Sequence, residues 1–498
     1  MRSRSSFIQW VSVGFLAIAT LLLTMQLVRY SQIRAAMPSG LKIAGINVGG
    51  LSPQNAADRL NQIYLSPIEL LVGKSRVQVK PAIIGYQLKL DNMLAAADKQ
   101  RSNLSFWVGF WRFLWNLPIS SEDIPLQYEL DKNRVVSFLQ NEIAPRYEQQ
   151  AQTALPVPGV AAFNTNQGGT RIDPEKSLAR IETAINSISN RVAVLEIVET
   201  AAHKPSFGAL EYSMKAIIDE SAYDGMIEIY LKDLQNGNLI HFTRRRNEIE
   251  NTPVDVAYSS WSTIKIPILV STFARQDPPY PQELLDDIAK MIEQSDNSAS
   301  DIVAQVGVDK IRGPLAISED MFALGLQNTF WAGYFKLGSP LLQAYKTPAN
   351  ERTDINTRPD PYAQTTPADL GMLLEDLYYC DKNYGGAFPI VFDGKISQQE
   401  CRLMIDYLSK DNIGQLIQAG VPANTVVAHK HGWAVEIVDG YIHTMADSGI
   451  VYTKGGDYVL SIFAYHPVQA IFDVANALFA DLASASYNYY NLELGTQP

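Results

Sequence analysis

Ser262-Thr-Ile-Lys265 stands at the head of the apolar run Ile264-Lys-Ile-Pro-Ile-Leu-Val270, and its reading decides what the rest of the chain must be. A serine hydroxyl is a weak nucleophile until a base takes its proton. On a helix, a lysine three residues later lies on the same face, within reach of that hydroxyl. Burial of so apolar a helix desolvates the amine, lowers its pKa and lets it act as a base. The pair reads as an activated acylation site. Its competitor is an N-capping serine at the start of an ordinary helix, so the weight falls on the motifs further along the chain.

A chain of 498 residues has room for about two to four domains, each with its own core. Hydrophobic content of 47% with 19% charged residues excludes wholesale disorder, and a formal charge of −11 argues against a nucleic-acid partner. Phe7 to Val28 is almost uncharged and of about the length a bilayer core demands. Arg2 and Arg4 precede it and Arg29 and Arg34 follow, a balance that leaves orientation open. The stretch is long for a cleaved signal peptide, although Ala35-Ala36 keeps cleavage as the alternative. The expectation is a signal-anchor over residues 1–35 in a bacterial cytoplasmic membrane, single-pass, with a cytoplasmic N-terminus and the catalytic domain outside. Cys380 and Cys401 are the two cysteines and a candidate disulfide, with two buried thiols as the alternative.

Between the anchor and residue 202 a strand–cap–helix device recurs. Ser52-Pro-Gln-Asn and Asp173-Pro-Glu-Lys each place a capping residue before a proline at the first helical position. Phe106-Trp-Val-Gly-Phe-Trp-Arg-Phe-Leu-Trp115 is too short to span a bilayer and reads as core or as an interfacial segment. In loose pattern this α+β accessory region, 40–202, resembles peptidoglycan-binding modules; a plain spacer is the equal alternative. Residues 207–492 begin with a helix, Leu210 to Tyr223. A hairpin comes next, Met226 to Leu231 and Leu239 to Thr243, joined through Asn236-Gly237. They end with strands Val426 to His429, Gly449 to Tyr452 and Tyr458 to Tyr465 and a helix from Phe472 to Tyr487. With helices in the middle, the two ends must meet in one antiparallel sheet. That is an α/β sandwich with flanking helices and an all-helical subdomain.

Two further motifs come after Ser262 in order. Ser295-Asp-Asn297 opens a helix; its serine suits a proton shuttle and Asn297 a substrate amide, or all three are merely good cap residues. Lys430-His-Gly432 continues from the strand ending at His429 and precedes Trp433. A cation there suits a substrate carboxylate, the glycine permits close approach, and the N–H of Trp433 with that of Ser262 would make an oxyanion hole.

Ser-x-x-Lys, Ser-Asp-Asn and Lys-x-Gly in this order resemble the signature of the penicillin-recognising serine hydrolases, and 207–492 resembles the class A β-lactamase domain and related D,D-peptidases. The resemblance implies Ser262 as nucleophile, Lys265 as base, Ser295 as shuttle, Asn297 as substrate ligand, and Lys430, His431, Gly432 and Trp433 as the substrate-binding edge. It implies a β-lactam or D-Ala-D-Ala peptide as substrate, peptidoglycan as a further partner, and no cofactor. His431 stands where Thr or Ser is usual, and its imidazole would make binding pH-sensitive. The pattern Glu-x-x-Leu-Asn of true β-lactamases finds only Glu351-Arg-Thr-Asp-Ile-Asn356, one residue out of register. Glu351 is therefore either the deacylation base or a solvated charge beside Arg352. The readings in competition are a membrane-anchored β-lactamase, a D,D-carboxypeptidase, and a non-catalytic wall-binding or β-lactam-sensing protein. No histidine suggests a metal site, since His429 and His431 are expected on opposite strand faces.

Overall fold

The computed structural model describes residues 2–117, 122–165, 168–248 and 252–492, the side chains of residues 2–6 excepted. The described residues divide into two compact units, one of residues 2–117, 122–151 and 168–201, the other of residues 152–165, 202–248 and 252–492. Residues 152–165, expected in the accessory region, thus belong with the second unit: Asn488 Nδ2 donates to the carbonyl of Ala161, and Phe163 packs on Tyr489.

The first unit opens with α1 (Arg2–Ala35), long and apolar enough from Phe7 onward to cross a membrane. Helix α2 (Pro53–Tyr64) starts where Ser52 Oγ accepts from the N–H of Asn55. Strands β1 (Ile68–Val72) and β2 (Ser75–Val79) pair antiparallel. Next come α3 (Leu90–Ser102) and the aromatic α4 (Phe106–Leu114). Helix α5 (Pro174–Asn186) is capped by Asp173, which accepts from the N–H groups of Glu175 and Lys176. Strand β3 (Val192–Val194) then joins β1 in parallel, burying Ile68, Leu70, Ile181 and Ile185 together.

In the second unit, α6 (Phe207–Glu220) precedes the hairpin β4 (Met226–Asp233) and β5 (Leu239–Arg245). Helices α7 (Lys265–Phe273), α8 (Gln282–Glu293), α9 (Asn297–Val303), α10 (Gly313–Ala323), α11 (Pro367–Asn383) and α12 (Gln398–Leu408) come next. The chain returns through β6 (Val426–Trp433), β7 (Thr444–Tyr452) and β8 (Tyr458–Tyr465) to α13 (Phe472–Tyr490). The sheet order is β5-β4-β8-β7-β6, antiparallel throughout, so the first hairpin and the last three strands do meet. This is a β-lactamase-like fold.

Why both ends of the chain fold together is visible in the strands. All eight residues of β8 are buried, because the sheet has helices on both faces. Ile227, Ile229 and Leu231 pack with Leu210, Phe479 and Leu482 on one face. The other face carries Met226, Ile450 and Phe463 against Leu370, Leu374 and Ile266. Alternating residues on a strand face opposite ways, and here each way is a core. Cys380, on α11, and Cys401, on α12, are disulfide-bonded with Cα atoms 5.9 Å apart.

Strand β6 extends to Trp433 rather than stopping at His429. Lys430, His431 and Gly432 are therefore inside an edge strand, paired with Ser448, Asp447 and Ala446. Gly432 shows why a glycine stands there: a Cβ on it would lie 2.9 Å from the Ser262 nitrogen and 3.0 Å from the Ser260 carbonyl and the Thr263 nitrogen. Gly432→Ala must push the strand away from the Ser262 turn. A misplacement of about 1 Å costs about 100-fold in rate, so if Ser262 is the nucleophile, its acylation, followed by mass, is expected to fall by that order. A rate within about twofold of the parent would contradict this packing.

Candidate active site

Residues Trp261–Ile264 form a 3₁₀ turn that runs into α7 at Lys265. In a 3₁₀ turn, residues three apart eclipse one another, which sets Lys265 directly over Ser262. The turn is entered with Trp261 at φ 43°, a left-handed conformation unusual for a bulky residue. Ser295 also has positive φ, 55°, and this aims both its carbonyl and its hydroxyl at α7. Backbone strain of this kind, about 1–3 kcal/mol each, gathers at functional sites.

Lys265 is completely buried. Its Nζ lies 2.8 Å from Ser262 Oγ, 2.7 Å from the Ser295 carbonyl, 3.1 Å from Ser295 Oγ and 2.9 Å from Asn297 Oδ1. The Phe335 ring lies 5.2 Å away, held because Asp301 accepts from the N–H groups of Phe335 and Lys336 at 2.8 and 2.9 Å. Burial first, and then the charge of Lys430, bring the Lys265 pKa down to about 7, against the pull of Asp296, Asp411 and Asp301. A neutral amine has two N–H groups and one lone pair. The Ser295 carbonyl and Asn297 Oδ1 take the two hydrogens, which leaves the lone pair for a hydroxyl proton.

Ser262, Lys265, Ser295 and Asn297 are thus brought together. The middle residue of Ser295-Asp-Asn297 does what a cap residue does: Asp296 accepts from the Ala299 N–H at 2.7 Å and starts α9. At the sheet edge, the His431 N–H points out of β6 onto Asp411 Oδ2 at 3.2 Å. Trp433, two residues along, presents its N–H on that same edge, beside the Ser262 turn that Gly432 abuts.

Two expectations need correction. Lys430 is not a free cation awaiting a carboxylate. It is fully buried, and its Nζ donates to Asp411 Oδ2 at 2.9 Å. His431 Nδ1 meets the same oxygen at 2.7 Å. Burial alone would raise the Asp411 pKa; the His431 hydrogen bond and the charges of Lys430, His429 and His431 override it and bring it to about 2. Nor do His429 and His431 face apart. Residues two apart on a strand share a face, and His429 Nε2 meets the Asp411 carbonyl at 2.7 Å while its Nδ1 meets Asp447 at 2.8 Å. Burial disfavours the charged ring, but Asp447 and Asp411 raise the His429 pKa on balance. Asp411 stands outside the three motifs that mark the other residues in the sequence.

Glu351 is exposed and pairs with Lys346 at 3.0 Å; it is not among the groups that meet Ser262 or Lys265. One histidine does sit among ligand-type atoms: Glu228, His241 and Asp255 each bring one within 4.8 Å of the others. The Glu228 carboxylate, however, accepts from the N–H groups of Asp255 and Val256 and faces His241 Nε2, so it holds the turn before the short strand Tyr258–Ser259 that leads to Ser262.

The second unit thus combines an antiparallel sheet, a helical subdomain and a serine–lysine–serine cluster. Residues 275–490 match the model of the beta-lactamase enzyme family, a segment that holds Ser295, Asn297, Lys430 and Gly432 and begins beyond Ser262 and Lys265. Among solved structures the chain is similar to PBP-A, at 17% identity over 59% of this chain and 99% of that one, TM-score 0.40. It is similar to the TLA-3 extended-spectrum beta-lactamase, at 14% over 57% and 99%, TM-score 0.40. It is also similar to a beta-lactamase from Desulfarculus baarsii, at 17% over 59% and 100%, TM-score 0.41. No curated protein matches the chain.

The charges set two expected outcomes. If Lys265 is the base, the acylation rate rises with pH through an inflection near 7, as the ammonium of Lys265 loses its proton, and levels off above it. Stopped-flow acylation on both sides of that inflection reads this directly, and Lys265→Arg should lower the plateau by about 10²–10⁴. Asp411→Asn leaves Lys430 buried without its counter-charge, which costs about 3–5 kcal/mol. The denaturant midpoint of the second unit should drop accordingly; an unmoved midpoint would mean that Lys430 sheds its charge at no cost.

Proposed function

We propose that this chain is a membrane-anchored serine acyl-transfer enzyme that opens β-lactam amides through an ester on Ser262. The observation that carries the reading is the buried Lys265 amine in contact with both Ser262 Oγ and Ser295 Oγ. In the proposed step, Lys265 takes the Ser262 proton as Oγ bonds to the carbonyl carbon. The oxyanion gathers in the N–H groups of Ser262 and Trp433. The C–N bond then breaks, the nitrogen takes a proton from Ser295 Oγ, and Ser295 recovers one from the Lys265 ammonium. Asn297 lies beside this path and suits a substrate amide. The anchor role of α1 is supported by its length and composition, and a catalytic side outside the membrane by the Cys380–Cys401 bond, since disulfides persist in oxidising compartments. The division of labour between an anchor, an accessory region and a hydrolase domain belongs to the same proposal.

A second reading, a penicillin-binding D,D-peptidase of peptidoglycan stem peptides, is favoured by one observation. Glu351 stands in solvent beside Lys346 rather than against Ser262 or Lys265, which supports an ester on Ser262 that persists. Incubation with a reporter cephalosporin, followed by mass and by colour, separates the readings. The expected result is an adduct on Ser262 that Ser262→Ala abolishes. Rapid colour with no lasting adduct supports the β-lactamase; a stable adduct supports the peptidase or a β-lactam-sensing protein. Neither colour nor adduct would leave no acyl transfer to β-lactams.

A further inference from the structure

α4 lies against the end of α1, and this contact is built from aromatic rings. Tyr30, just beyond the apolar stretch ending at Val28, has its ring 5.3, 5.5 and 5.5 Å from those of Phe106, Phe110 and Phe113. Gly109 makes room for it, since a Cβ there would lie 2.0 Å from the Tyr30 hydroxyl. Arg34, on the last turn of α1, sits 5.2 Å over Phe106 and donates to the Leu104 carbonyl at 3.2 Å. From α3, Arg101 Nη1 donates to the carbonyls of Arg34 and Ala35 at 3.4 and 3.2 Å. The depth of α4 is therefore fixed to the residues that leave the apolar span. At a rise of about 1.5 Å per residue, Tyr30 is only about 3 Å past Val28 along the axis.

The outward side of α4 does not suit water. Trp107, Trp111 and Trp115, spaced by four, are 69%, 60% and 64% exposed, with Val108 and Leu117 exposed next to them. Tryptophan rings concentrate where hydrocarbon meets headgroups, because the ring is apolar and its N–H wants a polar partner. Arg34, beside the start of α4, sets a cationic group where lipid phosphates would stand, while Arg101 is paired with Asp98 at 2.5 Å. We propose that α4 is an interfacial helix: its tryptophan stripe inserts into the lipid layer at the end of the α1 span, a second membrane contact that fixes how this unit meets the bilayer. The proposal rests on α1 spanning a membrane; the other occupants of such a stripe are a second copy of the chain or another protein.

The test uses the full chain carrying Trp10→Phe, in phosphatidylcholine vesicles brominated either near the headgroup end of the acyl chains or deep within them. Three of the six remaining tryptophans lie in the stripe, so up to about half of the emission should be quenched, and more by the shallow bromines. The triple substitution Trp107→Gln, Trp111→Gln, Trp115→Gln should remove the quenching while the chain still floats with vesicles through α1. Flotation without quenching of the parent overturns the interfacial helix and leaves the span intact; quenching that survives the triple substitution overturns it too. A chain that does not float sinks the span itself, and the interfacial helix with it.

Discussion

One amine governs the geometry of the second unit. Lys265 has lost all its water, and four oxygen atoms within 3.1 Å take its place. An isolated ammonium so placed would be strongly disfavoured, and the protein answers by lowering its pKa to about 7 rather than by supplying a bonded carboxylate. A carboxylate in contact would have stabilised the charge and kept the amine protonated. Polar but uncharged partners do the opposite: they orient the amine without holding its proton. The surrounding features serve that arrangement, from the 3₁₀ turn that stacks Lys265 over Ser262 to the left-handed Ser295 that delivers two acceptors from one residue.

A second charged cluster lies along the strand edge and bears on the first. Lys430 depresses the Lys265 pKa, while Asp411 opposes it. Because Asp411 Oδ2 gathers Lys430 Nζ, His431 Nδ1 and the His431 N–H, the edge approaches electrical balance rather than presenting a bare positive charge. The same carboxylate bonds the main chain of β6 and so fixes the edge on which Trp433 presents its N–H. Positioning and charge control are one device here, carried by a residue outside the strand.

Much of this is legible in the sequence because its signals are local. β8 reads as a strand since all of Tyr458 to Tyr465 is apolar or small, and its burial on both faces explains why. The motif residues Ser262, Lys265, Ser295 and Asn297 stand out because three short patterns occur in a fixed order, and the fold joins these four at one nitrogen. The misses are non-local or rest on misread polarity. Lys-His-Gly resembles a polar turn, which would end β6 at His429, whereas burial of Lys430 depends on Asp411, 19 residues away. Asp301 and Phe335, which complete the wall around Lys265, come together across 34 residues with no shared motif. Order along the chain groups the 152–165 segment with the accessory region, yet it packs on α13 through Phe163 and Tyr489.

The polar accounting at Lys265 also bears on the fate of the acyl-enzyme. Once Ser262 Oγ is an ester it has no proton to give, and the Lys265 lone pair is left facing Ser295 Oγ. The two N–H groups remain committed to the Ser295 carbonyl and Asn297 Oδ1. For Lys265 to activate a water, that water would have to take the place of Ser295 Oγ at the lone pair, on the side where Ser262 and Ser295 are only half-buried. Activation by a separate carboxylate avoids the conflict, but Glu351 is held at the surface by Lys346. On the proposed reading, removal of the Ser262 proton and release of the ester thus ask different partners of one nitrogen, Ser262 Oγ in the first and a water in place of Ser295 Oγ in the second.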